Sequence, residues 1–445
     1  MLKYFKTLSI LCLAAAFLCA CDSDFLDKKP QKSLLIPKTA DDFQALLDNS
    51  DDLMNKTPVL PLVADGDFWV TEPVFQNLYK ETKDTYLWSG ETQNQLTDWD
   101  SPYQQVFYAN VALDGVSKLS GEQAGRIRGR ALFYRAFGFY QLLVQFAAPY
   151  QNSQAQSDQG IPLPLTADVG RILKRSTLSE SYQQVLDDLI NAIPILEDVP
   201  QYLTRPSKPA ALALLARVYL SMGEYEKAAD FSQQALDIKN TLIDYNTLDT
   251  TLAVSFPLPL VSGNPEILYY SRGLTTFFAD PAVMVDSTFY RSYQSADLRK
   301  SLYFTPSLNF KGSYTGTTFP FGGLTTSELY LIKAECQARM VGVEQSMKTL
   351  NSLLEKRFKR TSFRPVTSGS AQQALTLILD ERKKEMVLRG VRWGDLKRLN
   401  LQQGLAVKLT RSMGGKSYEL PANDKRYLFK IPLDELSANE IPQNP

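Results

Sequence analysis

The stretch SKPAALALLARVYLSMGEYEKAADFSQQAL, residues 207–236, decides the fold. A serine followed by an early proline starts a helix: the hydroxyl can accept from an orphan backbone N–H, and proline has no N–H to leave unpaired. Gly223 is the matching stop, because glycine takes the left-handed position after a helix without a Cβ penalty. A second helical pattern begins at once. Across the pair, Ala216, Tyr219, Gly223, Ala228 and Ala235 fall at the spacings of a tetratricopeptide repeat. In such a repeat small residues let two antiparallel helices approach and the aromatic fills the gap between them.

The same pattern extends outward. Over 326–359, Leu329, Ile332, Cys336 and Met340 form one apolar stripe, and Gly342 separates it from a helix over 345–358. Cys336 on that stripe is a small core residue rather than a nucleophile. Helices are also predicted over 101–119, 123–146, 178–197, where Thr177 and Glu180 make a capping box, and 371–389. The fold class is therefore mostly α, a tetratricopeptide-like scaffold of paired helices, with its core over about 101–260 and 325–400.

Two segments depart from this period, about 50–100 and about 261–324, and together they read as an irregular, loop-rich lobe. The first holds Trp69, Trp88 and Trp99, three of the four tryptophans. Around the second, residues 269–330 carry 14 Phe or Tyr in 62 positions, about twice the chain average, among Pro, Gly, Ser and Thr. Ordered loops rich in aromatics are where a ligand is expected. Trp99, just ahead of the helix over 101–119, is read as core.

Composition narrows the function. The 445 residues are 44% hydrophobic, enough for a large core, and 48 basic residues balance 48 acidic ones, so no excess charge draws the chain to nucleic acid. Histidine is absent. That removes the commonest general base and metal ligand, and with them Ser-His-Asp, Cys-His and HExxH chemistry. Nucleophile-elbow and phosphate-cradling motifs are missing too, so an enzyme would have to work through carboxylates. No cofactor is called for. Asp48, Ser50 and Asp52 alternate as in a calcium loop, but no glycine makes the turn, and they read as a solvated acidic turn rather than a metal site.

Residues 1–20 read as a signal peptide: Lys3 and Lys6, an apolar run from Leu8 to Phe17, then Leu18-Cys19-Ala20 before Cys21. That ending resembles a bacterial lipobox, in which Cys21 is lipidated and becomes the new N-terminus of a single domain over 21–445. Near the other end, VLRGVRWGDLKRLN (387–400) clusters Arg389, Arg392, Lys397 and Arg398 around Trp393 and Asp395. In context it is scaffold, with Gly390 stopping the helix over 371–389 and a further turn starting at Trp393. Asp395 near that turn's positive end can pair with Arg392 or with an arginine of a neighbouring helix, and Trp393 packs against the repeats.

In order along the chain, the lipobox with CDSDFLDKKP, the run FYRAFGFYQLLVQF with its later IPLPL, the 207–236 hairpin, SELYLIKAECQARMVG, DERKKEMVLRGVRWGDLKR and the ending IPLDELSANEIPQNP resemble the SusD/RagB family of outer-membrane nutrient-binding lipoproteins. The resemblance spans nearly the whole chain. It implies a non-catalytic, lipid-anchored protein outside the cell that binds an oligosaccharide, or in some members a peptide, over a SusC-like TonB-dependent transporter. One departure stands out: the glycine before the Arg-aromatic-x-Asp segment usually follows glutamate, and here Arg389 precedes Gly390, so the local ion pairing must differ. By position, the ligand-binding residues expected are Trp69 and Trp88 from the first irregular segment, and Tyr290, Arg291, Tyr293 and Phe319 from the second. Two other readings stay open on the residues: a helical glycoside hydrolase using paired carboxylates, and a repeat scaffold that binds only protein.

Overall fold

A computed structural model describes residues 37–91 and 96–445. Its helices of eight or more residues are α1 (Ala40–Leu47), α2 (Leu96–Val116), α3 (Glu122–Phe146), α4 (Leu178–Ala192), α5 (Lys208–Met222), α6 (Tyr225–Ile238), α7 (Thr326–Met340), α8 (Val343–Leu354), α9 (Ala371–Glu385) and α10 (Arg392–Asn400). The signal-peptide segment and Cys21 lie outside the described residues.

The 207–236 hairpin forms through the contacts its residues suggest. Ser207 caps α5, its hydroxyl accepting from the Ala210 N–H at 3.4 Å, and Gly223 ends it at φ 76°. Ala216, Ala228 and Ala235 are fully buried between the helices, and Tyr219 stacks flat on Phe231 at 5.4 Å. The pairing then propagates: α2 lies on α3, α3 on α4, α4 on α5, α6 on α7, and α7 on both α8 and α9. This is a tetratricopeptide-like stack. The Thr177–Glu180 capping box closes with both of its hydrogen bonds, at 3.1 and 2.8 Å. Cys336 is buried, and burial pushes its thiol up to about 12, which leaves it inert.

Boundaries shift where the irregular segments meet the stack. α2 starts at Leu96 rather than 101, the helices of the first half stop at Ile238 rather than near 260, and α9 stops at Glu385 rather than 389. The last change has a backbone cause: Leu388 (φ 53°) and Gly390 (φ 72°) both take left-handed conformations, so the chain turns before α10. The 50–100 segment is less loop-like than its composition suggests and contains short helices at Leu60–Ala64, Glu72–Asn77 and Lys80–Tyr86. Asp48 lies in the turn after α1 with its side chain part-exposed, and both of its oxygens accept from Arg205, at 2.7 and 2.5 Å.

α3 is central and buried on nearly every face. Arg135 within it is neutralised by a bidentate bond to Asp188, at 2.8 and 2.7 Å. Gly138 allows α2 close, since a Cβ there would stand 2.9 Å from the Pro102 carbonyl oxygen. The carbonyls at its C-terminal end are satisfied from far along the chain. Lys397 donates to Val144 and Ala147 at 2.7 and 2.5 Å, and the Asn444 amide donates to Phe146 and Phe429 at 2.9 and 2.7 Å.

The irregular lobe is built on a second aromatic core and tied to α9 by buried charge. Arg299 and Arg357, both fully buried, meet at Glu385. Arg299 also holds Asp297 and Glu381, while Arg357 donates to both oxygens of Glu266, one of which also accepts from the Tyr314 hydroxyl. The opposite side of α9 faces the repeats: Arg382 bonds Asp395 at 2.8 Å, and Asp395 also accepts from Arg398 at 2.8 Å. Asp395 is thus paired with Arg382 and Arg398, not with Arg392. Trp393 stacks on Phe429 (5.2 Å, 6°) and donates to the Tyr427 carbonyl at 3.2 Å, so its partner is the C-terminal segment.

Truncating Trp393→Ala empties this site and should cost about 3–5 kcal/mol of stability by denaturant unfolding, while ligand affinity changes far less. Glu385→Gln leaves two buried guanidinium groups short of a charge and should cost about 3–5 kcal/mol at neutral pH. Burial works to raise the Glu385 carboxyl, but Arg357 and Arg299 outweigh it and hold the group below the usual carboxylate range. Its stabilisation is therefore complete above pH ~4.5 and is lost as pH falls through the depressed folded value, so the gap between variant and wild type should close in acid. A gap independent of pH would refute the ionic role.

Candidate ligand-binding site

Strand Val283–Val285 pairs antiparallel with Phe68–Val70 and leads into the short helix Ser287–Ser292, whose first turn is capped by Asp286 accepting from the Phe289 N–H at 2.8 Å. This pairing sets Trp69 opposite Met284. It thereby joins the two irregular segments on which the expected binding residues lie.

Alternation along Phe68–Val70 turns Phe68 and Val70 inward and leaves Trp69 38% exposed. Tyr290 is half-buried, with the Lys300 ammonium 4.6 Å from its ring centroid and Phe304 edge-on at 6.0 Å. Arg291 is exposed, and Phe319 is half-buried beside the Arg272 guanidinium at 5.3 Å. The other two expected residues are enclosed. Trp88 is 3% exposed and donates its indole N–H to the Ala64 carbonyl at 2.9 Å, with Arg411 over its ring at 4.6 Å. Tyr293 is 1% exposed, lies among Phe289 and Phe304, and donates its hydroxyl to the Lys384 carbonyl at 2.9 Å. Neither ring offers a face to a ligand in this structure. Tyr293 packs the lobe's core, while Trp88 packs the main core, as does Trp99 against Tyr103 and Phe146.

Tyr290 lines a surface groove of about 670 Å³ together with Leu252, Lys300, Phe304, Phe310 and Lys311. Hydroxyls of Thr250, Ser301 and Thr318 border it as well. Lys311 fixes the wall: its ammonium donates to the Thr250 and Ser301 carbonyls at 2.9 and 3.0 Å and to the Ser255 hydroxyl at 3.2 Å, and burial lowers its pKa. Aromatic edges, hydroxyls and ammonium groups side by side suit a neutral, hydroxyl-rich ligand, whose C–H faces lie on rings and whose oxygens need donors. The one carboxylate among the lining residues, Asp297, is committed to Arg299 at 2.9 and 2.7 Å. Among the described residues, the groove's lining thus offers no pair of free carboxylates of the kind that acid–base cleavage of a glycosidic bond uses.

Trp69, Arg291 and Phe319 lie outside the lining of this groove. Lys300, Leu252 and Thr250 were missed by sequence reasoning. Lys300 reaches the Tyr290 ring from the following helix, Arg299–Tyr303, whereas Thr250 and Leu252 reach the groove from the 241–260 segment, a return that no local pattern marks.

Fold and groove together define a helical-repeat binding protein. Two family models match the chain in succession: one described as starch-binding associating with outer membrane over residues 24–220, and the SusD family over residues 312–445. The chain belongs to the SusD/RagB family. It is similar to SusD-like protein P2 of Formosa agariphila, with 24% identity over 417 residues that cover 78% of this chain and 79% of that one. A solved SusD superfamily protein from Bacteroides thetaiotaomicron has the same fold, with a TM-score of 0.73, 21% identity and coverage of 92% of this chain and 100% of that one. A putative sugar binding protein from Bacteroides vulgatus does so as well, at TM-score 0.70, 20% identity and coverage of 92% and 99%.

Because Trp88, Trp99 and Trp393 are 3%, 1% and 1% exposed, Trp69 should supply nearly all the fluorescence that acrylamide quenches readily. Trp69→Phe should abolish that accessible fraction, and an accessible fraction left intact would contradict the burial of the other three.

Proposed function

We propose that this protein is a lipid-anchored binding protein of the cell surface that holds a neutral oligosaccharide and passes it to a SusC-like TonB-dependent transporter in the outer membrane. Family membership supports carbohydrate binding and outer-membrane association. The sequence at Cys21 supports the anchor, and the mature chain from 21 to 445 acts as one domain. The observation that carries the reading is the groove at Tyr290, where a half-exposed ring stands beside Lys300 and a border of hydroxyls.

In this reading a sugar ring stacks on Tyr290 while Lys300 and the hydroxyls of Thr250 and Ser301 bond its oxygens. Trp69, Arg291 and Phe319 extend the contact surface for a longer chain. The role is capture and not turnover, so glycans should leave unchanged.

A panel of neutral oligosaccharides titrated into the protein, followed by calorimetry, tests the site. At least one should bind, and Tyr290→Ala should weaken it by about tenfold with an unchanged melting temperature, whereas Trp88→Phe should leave affinity alone. Cleaved products seen by mass spectrometry would restore the hydrolase reading. Binding of peptides but of no glycan would reassign the cargo.

A further inference from the structure

The turn within 387–400 borders an interior space that the proposed carbohydrate site does not use. Where α3, α5, α9 and α10 converge there is a cavity of about 60 Å³. At ~10–15 Å³ for each water-sized probe, it has room for a few waters or for one small ion with water. Its charge is lopsided: the guanidinium-bearing residues Arg217, Arg382, Arg389 and Arg398 line it, against a single carboxylate residue, Asp395.

Partners account for most of these groups. Arg217 bonds Glu328 at 2.9 and 2.5 Å, and Arg398 bonds Glu335 at 2.6 and 2.8 Å and Asp395 at 2.8 Å. Arg382 reaches Asp395 through Nε, but its Nη1 has no acceptor. Among the described residues, Arg389 has none for Nε, Nη1 or Nη2. Both side chains belong to residues only 2% exposed. The face of Tyr314, 3.5 Å from the Arg389 guanidinium carbon, answers part of its charge but accepts no in-plane N–H. Glu385, the carboxylate that acts on Arg389 electrostatically, is already taken by Arg357 and Arg299. A buried cation whose N–H groups lack acceptors is strongly unfavourable unless something occupies the space beside it.

The wall formed by α3 has the complementary need. Gln141 and Gln145, one turn apart, both line the cavity, and each spends its amide N–H on backbone carbonyls: Gln141 on Lys56 at 3.2 Å, Gln145 on Asp98 at 3.3 Å and on Gln141 at 3.2 Å. Those bonds fix the amide orientation and leave Oε1 of each glutamine buried with no donor. The residues lining this one small space thus include arginines with unmatched N–H donors and glutamines with unmatched carbonyl oxygens, among the described residues. An anion satisfies the first, and water, which donates both to an anion and to a carbonyl, satisfies the second.

We propose that this cavity is a binding site for a small monovalent anion of halide size, held by Arg382 and Arg389 and bridged through water to Gln141 and Gln145. The site supplies the acceptors that the Arg389 N–H groups lack among the described residues. It does not rest on the carbohydrate reading, since it shares no lining residue with the groove at Tyr290.

Bromide is the probe. The protein is exchanged into sodium gluconate, whose anion is too large for the cavity, and bromide then replaces gluconate at constant ionic strength during thermal melts. The melting temperature should rise and saturate, and Arg389→Met should weaken the apparent affinity by about tenfold or more. Because that variant can fail to fold, wild-type crystals grown in bromide give an independent reading, with an anomalous peak expected in the cavity beside Arg382 and Arg389. Bromide found only on the surface would be an adventitious ion only and would overturn the site. So would a cavity filled with water alone, or a melting response that never saturates.

Discussion

Two buried arginines, Arg299 and Arg357, converging on Glu385 make the joint on which the rest of the structure depends. Taking such charges out of water is costly, and the arrangement survives because each guanidinium is answered by more than one carboxylate. Arg299 has Asp297, Glu381 and Glu385, and Arg357 has Glu266 and Glu385. Asp297 and Glu266 come from irregular segments of the lobe, Arg299 starts the short helix Arg299–Tyr303, and Arg357 follows α8. α9 gives them a fixed surface, presenting Glu381 and Glu385 to the lobe and Arg382, next in sequence, to the repeats. The groove at Tyr290 inherits its shape from that joint, because Asp297 and Arg299 lie at the base of the segment that carries Lys300 and Ser301.

The repeat stack was legible because its signals are local. A serine cap, a left-handed glycine and alanines at helical spacing act within a few residues of one another, and 207–236 folds as they dictate. The lobe was not legible in the same way, since it is held by pairings across large sequence separations, such as Arg357 with Glu266 and Phe68 with Val285. Composition marked it correctly as aromatic-rich, yet could not tell an inward ring from an outward one. Tyr290 and Tyr293 sit three residues apart on one short helix and its end. One borders the groove, and the other is sealed by Phe289, Phe304 and a bond to Lys384. Trp88 is similar: its indole N–H finds the Ala64 carbonyl 24 residues earlier, a contact no periodicity announces.

The stretch 387–400 illustrates how a site-like sequence becomes scaffold. Its charges are real and buried, but Asp395, Arg398 and Lys397 are spent on Arg382, Glu335 and the end of α3. Arg389, just before Gly390, is by contrast a buried charge that forms no ion pair among the described residues. Its neighbours Arg382 and Arg398, both bonded to Asp395, are structural ties.

The C-terminal end of α3 has a consequence for how the molecule comes together. Its last carbonyls find their donors in Lys397 and Asn444, some 250 and 298 residues further on. The helix that fills the middle of the core is therefore unfinished for most of the time the chain is being made, and its completion is the same event as the docking of the final segment. Closure of so large a loop ties the early and late parts into one cooperative step, so a chain that has not yet delivered its last fifty residues holds a centre still open to water.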